Sequence, residues 1–174
     1  MAVHLLSQKS HSHLRQLIAI MSESDDKLVL CAQCSAITEK TQNPCRICAD
    51  ENRLGNILCV VENPGDVILM EAAGGFNGKY HVLMGRLSPS KKSGPENIRV
   101  GELLKRVATE KVEEVLLALN MDVESDATVA YLRERLAGAG VRLTRIATGV
   151  PVGSGISYAD PLTLERAVSA RREL

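Results

Sequence analysis

Five cysteines concentrate the chemistry in the first third of the chain. Cys31-Ala32-Gln33-Cys34 and Cys45-Arg46-Ile47-Cys48 are two CxxC pairs separated by the mostly polar segment Ser35 to Pro44. A CxxC turn presents two thiolates to one ion, and two such turns supply the four soft ligands of tetrahedral zinc. Four cysteines leave no open coordination position, so metal held here would be structural. Redox dithiols are the competing reading, but those sit at a helix start after a strand. Structural disulfides suit a cytoplasmic chain still less. Cys59 falls in an apolar run and reads as a small buried hydrophobe.

The second constellation is acidic. Glu62 follows the apolar run 57–61, and Asp122, Glu124 and Asp126 follow the apolar run 115–119. In open α/β sheets, ligands gather at the carboxyl ends of strands. If the two strands are neighbours, Glu62 meets Asp122 and Glu124. Clustered carboxylates offer the hard oxygen ligands that magnesium prefers and that phosphoryl transfer uses. Equally, acidic residues at that position favour the positive start of the following helix. No nucleotide motif competes. The run Gly74-Gly75-Phe76-Asn77-Gly78-Lys79 has Tyr80 where a phosphate loop needs Ser or Thr. His11 and His13 do not share a helix face, and both read as solvent-exposed.

Alternating elements must position these groups. Leu14, Leu17, Ile18 and Met21 predict a helix that ends in Ser22–Asp26. Strands are expected at 57–61, 80–84, 115–119 and 141–146. Helices are expected after Asn63-Pro64, around Leu103, Leu104 and Val107, around Val129, Leu132 and Leu136, and from Asp160-Pro161 to Arg172. Strands alternating with helices imply a mostly parallel sheet covered on both faces. At 174 residues the chain suits one domain with a small appendage. With one Phe, three Tyr and no Trp, its core must be aliphatic. No apolar run approaches the ~18 residues of a membrane span, and the start lacks the features of a signal peptide, so a cytoplasmic protein is expected. The 21 basic and 21 acidic side chains cancel. Locally the balance is −3 over residues 1–78, +5 over 79–111, −5 over 112–134 and +3 over 135–174. Separate patches of this kind suit either partner binding or solvated helix faces.

Together these residues resemble a known family. The four-cysteine unit is followed by Leu58-Cys59-Val60-Val61-Glu62-Asn63-Pro64-Gly65-Asp66-Val67, then Val82-Leu83-Met84-Gly85 with Leu87-Ser88-Pro89, and Gly94-Pro95-Glu96-Asn97-Ile98. Val123-Glu124-Ser125-Asp126-Ala127-Thr128, Gly149-Val150-Pro151-Val152-Gly153 and Thr163-Leu164-Glu165-Arg166-Ala167 complete the series. In this order they resemble RecR, the bacterial recombination mediator family. The resemblance implies an N-terminal helix (1–28), a four-cysteine zinc finger (29–54), a Toprim domain (55–148) and a C-terminal segment and helix making a subunit contact (149–174). Met1-Ala2-Val3-His4-Leu5-Leu6 then resembles the segment just after the family's helix-hairpin-helix module, whose glycine-rich run is missing, and residues 1–28 resemble a remnant of that region. The chain on that basis resembles an N-terminally truncated member.

The implied function is non-catalytic. Such a protein acts with RecO or RecF to load RecA at gapped or single-stranded DNA, as a homo-oligomer, a dimer rather than a tetramer, in the nucleoid-associated cytoplasm. Structural Zn2+ is the implied cofactor. Glu62, Asp122, Glu124 and Asp126 would face the partner or DNA. Catalytic Toprim enzymes carry a DxD pair, and Asn120 stands where the first aspartate belongs. That change weakens any Mg2+ site. The alternative is a magnesium-dependent Toprim nuclease with Glu62 as general acid/base, although Tyr80, Tyr131 and Tyr158 all have packing readings. Lys91 and Lys92 replace a familiar Leu-Asp-Gly sequence and could contact phosphate or simply solubilise a loop. The missing module and zero net charge imply weak DNA binding by the chain alone.

Overall fold

In the computed structural model, residues 11–88 and 93–171 are described. Helix α1 (His11–Lys27) is the first element of the described residues. It does not stop within the Ser/Asp run but continues to Lys27, whose Nζ meets Glu23 Oε1 at 2.6 Å one turn back. Two short strands, β1 (Leu28–Leu30) and β2 (Ile37–Glu39), pair antiparallel around the first CxxC, and α2 (Arg46–Ala49) carries the second.

The main body then alternates as β3 (Leu54–Val61), α3 (Pro64–Ala73), β4 (Gly78–Val82), α4 (Val100–Thr109), β5 (Glu114–Ala118), α5 (Val123–Leu136), β6 (Arg142–Arg145) and α6 (Pro161–Ser169). The strand order is β4-β3-β5-β6, and every pair is parallel. Strand β3 is therefore central. Its last residue, Val61, is level with Val82 and Ala118 on its two neighbours. The segments beginning at Glu62, Leu83 and Leu119 leave the sheet along one edge.

Side chains of alternate residues on a strand point to opposite faces, and the sheet divides its apolar residues accordingly. Leu58, Val60, Val115 and Leu117 face α4 and α5, with Leu103, Val107, Leu132 and Leu136 against them. Cys59, Val61, Tyr80 and Val82 face the other way, toward Val67 of α3 and the cysteine unit. Each such fully buried Val or Leu contributes about 1.5–3 kcal/mol. The core is aliphatic, as the composition requires, apart from Tyr80 and an edge-on Phe76 at a ring distance of 5.2 Å.

Local chemistry sets the boundaries. Asn63 N–H donates to Asp66 Oδ2 at 2.8 Å at the start of α3, and Gly74 ends that helix with φ 68°. The expected strand 80–84 instead spans 78–82, because Met84 (φ 61°) and Gly85 (φ 145°) break the extended run. Helix α6 ends at Ser169, short of Arg172, which lies outside the described residues. Tyr158 departs from its packing reading at 87% exposed, whereas Tyr80 is buried and Tyr131 packs against the core. His13 is exposed, as expected.

Candidate functional site

Two sites emerge. In the first, the sulfurs of Cys31, Cys34, Cys45 and Cys48 all lie within 4.8 Å of one another and are buried. Cys34 Sγ is 3.6 Å from Cys45 Sγ, and Cys31 Sγ is 3.9 Å from Cys48 Sγ. Those separations are too long for a disulfide, and all five cysteines are free. They match the edge of a tetrahedron with metal–sulfur bonds of about 2.3 Å, roughly 3.8 Å. Backbone amides already point at the sulfurs: Cys45 N–H donates to Cys31 Sγ at 3.3 Å and Ala36 N–H to Cys34 Sγ at 3.4 Å. Asn43 Oδ1 accepts from Ala32 N at 2.9 Å and ties one turn to the other.

Hydrogen bonding among the sulfurs splits their acidities. The bond to Cys45 pushes the Cys34 thiol up to about 12, the bond to Cys34 pulls Cys45 well down, and Cys48 is pushed up by its bond to Cys34. A cation shared by the sulfurs favours their thiolate forms. The four residues thus fit a metal ion such as zinc, with no coordination position left for substrate. The unit is fastened to the sheet edge. Val82 N–H donates to Cys34 O at 2.8 Å, and Lys79 Nζ donates to Cys48 O at 3.1 Å.

Cys59 is fully buried, and desolvation pushes its thiol up to about 12, which suits a core side chain.

The second site lies at the carboxyl edge of the sheet. Strands β3 and β5 are neighbours, and the structure brings Glu62, Asp122 and Glu124 together. Glu62 is 3% exposed. Its Oε1 accepts from Asn120 N at 3.0 Å and Ser125 Oγ at 2.5 Å, and its Oε2 accepts from Asn120 Nδ2 at 2.8 Å. Asp122 is the N-cap of α5, with Oδ1 accepting from Ser125 N at 2.9 Å. That amide heads the interactions holding the Asp122 carboxyl below its usual range, and the Arg86 guanidinium reinforces it. Asp122 therefore both starts α5 and lies beside Glu62 around Arg86.

Arg86 is the residue that carboxylate patterns alone do not reveal. Its Nη1 meets Asp122 Oδ2 at 2.5 Å and lies 3.8 Å from Glu62 Oε2, while its Nε meets Glu124 Oε2 at 2.9 Å. Ser88 Oγ donates to Glu124 Oε1. The signal was positional: Gly85-Arg86 follows β4 at the same edge where Glu62 follows β3. Gly85 N–H donates to Glu62 O at 2.9 Å, and the left-handed Met84 turns the chain so that Arg86 reaches over the cluster. Leu87 N–H to Thr128 Oγ1 at 3.0 Å then pins the loop to α5.

Asp126 does not join this group. It lies two residues beyond Glu124, on the opposite side of α5, and pairs with Arg145 Nη1 at 2.8 Å and Arg166 Nη2 at 3.8 Å. It links the helix to β6 and to the C-terminal helix. Lys91 and Lys92 lie outside the described residues, between Ser88 and Ser93, which bridge each other through reciprocal backbone bonds of 3.0 and 2.9 Å.

As arranged, the acidic group does not fit magnesium. All six carboxylate oxygens of Glu62, Asp122 and Glu124 accept from protein donors, and Asn120 supplies a donor where a carboxylate ligand would be wanted. Magnesium demands carboxylate oxygens in near-octahedral array and would have to displace several of these bonds.

Comparison with known proteins agrees with this architecture. Residues 56–147 match the family described as Toprim domain, and residues 149–172 match the family described as RecR, C-terminal. The chain is 46% identical over 174 residues to a protein named Recombination protein RecR from Koribacter versatilis, covering all of this chain and 86% of that relative. A protein of the same name from Heliobacterium modesticaldum is 44% identical over 174 residues, again covering 100% of this chain and 86% of the relative. A third, from Herpetosiphon aurantiacus, is 44% identical over 171 residues, covering 98% and 82%. With four parallel strands, a buried four-cysteine cluster and similarity along its whole length, the chain belongs to the RecR recombination-protein family.

Proposed function

We propose that this chain is a non-catalytic mediator of recombinational DNA repair. It acts with RecO or RecF at gapped or single-stranded DNA to load RecA, as a homodimer in the nucleoid-associated cytoplasm. Relatives named Recombination protein RecR support the process. The observation that carries the non-catalytic part is the state of the Toprim pocket, in which every oxygen of Glu62, Asp122 and Glu124 is bonded to a protein donor. Taking a proton from water, or holding a metal against phosphate, would compete with those bonds.

The cysteine cluster holds structural zinc in this reading. Its bonds to β4 make the metal part of the fold rather than of any reaction. The rim of the acidic pocket, with Asp122 and Glu124 partly exposed, faces a basic partner surface. Lys91 and Lys92, between Ser88 and Ser93 in sequence, contact DNA phosphate in this reading. No described helix is long and apolar enough to cross a membrane. The test is a nuclease assay with magnesium on linear and gapped DNA, comparing the wild type with Asp122→Asn. No cleavage above background is expected from either. Metal-dependent cleavage by the wild type that is lost in Asp122→Asn would overturn the non-catalytic reading.

A further inference from the structure

We infer that Arg106 is the counter-cation of the four-cysteine centre, a buried guanidinium that stabilises the metal-loaded thiolates across the outer edge of β4. Four thiolates outweigh one divalent ion, so the loaded centre is an anion inside the protein. A buried anion is costly without an opposite charge nearby. The cysteine unit lies along the edge of β4 that faces away from β3, where Val82 N–H donates to Cys34 O at 2.8 Å. Two residues back on that same edge, Arg106 Nη1 donates to Tyr80 O at 2.7 Å. The two attachment points are about 7 Å apart along the strand. Arg106 reaches this position from the last turn of α4, whose Leu103 and Val107 are packed into the core.

The surroundings give that charge its reach. Arg106 is buried, and Tyr80 and His81 on the strand and Ser35 next to Cys34 are fully buried. Charges in such a place are screened far less than at the surface. Burial opposes the charge on Arg106, yet Glu110 and, beyond it, Cys48 and Cys34 hold its pKa above the ordinary arginine value. Glu110 fixes the guanidinium, with Nε to Oε1 and Nη2 to Oε2 both at 2.9 Å. That carboxylate is partly exposed, so water screens it more than it screens Arg106. Lys79 Nζ brings a second cation to Cys48 O at 3.1 Å, from a less buried position. Of these two cations, Arg106 is the one in the dry interior.

The inference rests on the structural-zinc reading above and is tested by metal affinity rather than by activity. Wild type, Arg106→Lys, Arg106→Met and Glu110→Gln are loaded with zinc and titrated with a chelator of known affinity. Each is also refilled with cobalt, whose thiolate absorption reports a four-sulfur site. Arg106→Met is expected to hold zinc at least about tenfold more weakly, since a unit charge removed at roughly 7 Å exceeds that factor even at an effective dielectric of about 20. Arg106→Lys keeps the charge and should lie closer to wild type than to Arg106→Met. Glu110→Gln removes the opposing carboxylate while keeping an acceptor for Arg106, so it should hold zinc at least as tightly as wild type. A merely structural Arg106–Glu110 pair would instead weaken zinc binding in both Arg106→Met and Glu110→Gln. Arg106→Met that keeps wild-type affinity overturns the inference, as does Arg106→Lys that binds no tighter than Arg106→Met. If Arg106→Met does not fold, Glu110→Gln decides, and zinc held more weakly there than in wild type overturns the inference. Wild type that loads zinc on four sulfurs while every variant matches it sinks this inference alone. Wild type that loads no zinc sinks the structural-zinc reading as well.

Discussion

Replacing Glu62 with alanine should unfold the pocket rather than silence a reaction. The carboxylate is buried and accepts from Asn120 N, Asn120 Nδ2 and Ser125 Oγ, with Arg86 at 3.8 Å. Ser125 is fully buried, so its hydroxyl loses a partner that water cannot replace, at about 1–3 kcal/mol. Asn120 is exposed, and its two donors recover most of their bonding from solvent, leaving a net loss of about 0.5–1 kcal/mol each. The sum is about 2–5 kcal/mol. For a chain of this size that corresponds to roughly 4–20 °C in melting temperature. Alanine at Asp122 removes only a half-exposed cap, at about 1 kcal/mol, and should lower the melting temperature by about 2–4 °C. Both variants are measured by calorimetry and by urea titration with the metal site loaded. A Glu62→Ala protein that melts within about 2 °C of wild type, or no lower than Asp122→Ala, would refute this assignment of Glu62 as the keystone of the strand edge.

Other outcomes follow from the same geometry. Cys45→Ala should lower bound zinc from about one per chain to about none and speed amide exchange at Val82, whose N–H is held by Cys34 O; unchanged zinc stoichiometry would dismiss the site. His81 is fully buried, with Nε2 2.9 Å from Arg99 O, and desolvation lowers its pKa to about 4. Its contribution is complete above the unfolded value of about 6.5 and is lost as pH falls toward 4, because the unfolded chain then binds the proton first, a loss of up to about 3 kcal/mol. His81→Gln keeps a donor for Arg99 O and should flatten that acid slope in urea titrations; an unchanged slope would contradict the buried-histidine cause. Gly78→Ala should cost about 2 kcal/mol, because a Cβ there meets Phe76 and lies 2.6 Å from Ile57 O; a melting temperature equal to wild type would show that β4 yields more easily than its packing implies.

What the sequence revealed, and what it hid, have physical causes. The four-cysteine set was legible because thiolate spacing is a local property, and the sulfurs meet as the two CxxC turns require. The alternation of strands and helices was legible from apolar runs, and the sheet is parallel throughout. The small strands β1 and β2, three residues each, are too short to carry periodicity. Arg86 was invisible because its role depends on strand order: only when β4 and β5 both flank β3 does a residue after β4 reach carboxylates after β3 and β5. Asp126 looked like its neighbours in sequence, but helix geometry sends it to Arg145 and Arg166. The zero net charge hides this same pairing, since the acidic stretch 112–134 meets its counter-ions from the basic stretches on either side, Arg86 before it and Arg145 after it.

The mediator assignment is tested most directly by RecA assembly on single-stranded DNA already coated with single-strand binding protein, with cognate RecO present and this chain added or withheld. The expected result is that the chain shortens the lag of RecA filament growth, and that magnesium-dependent DNA cleavage stays at background. An unchanged lag at saturating chain and RecO would contradict the assignment.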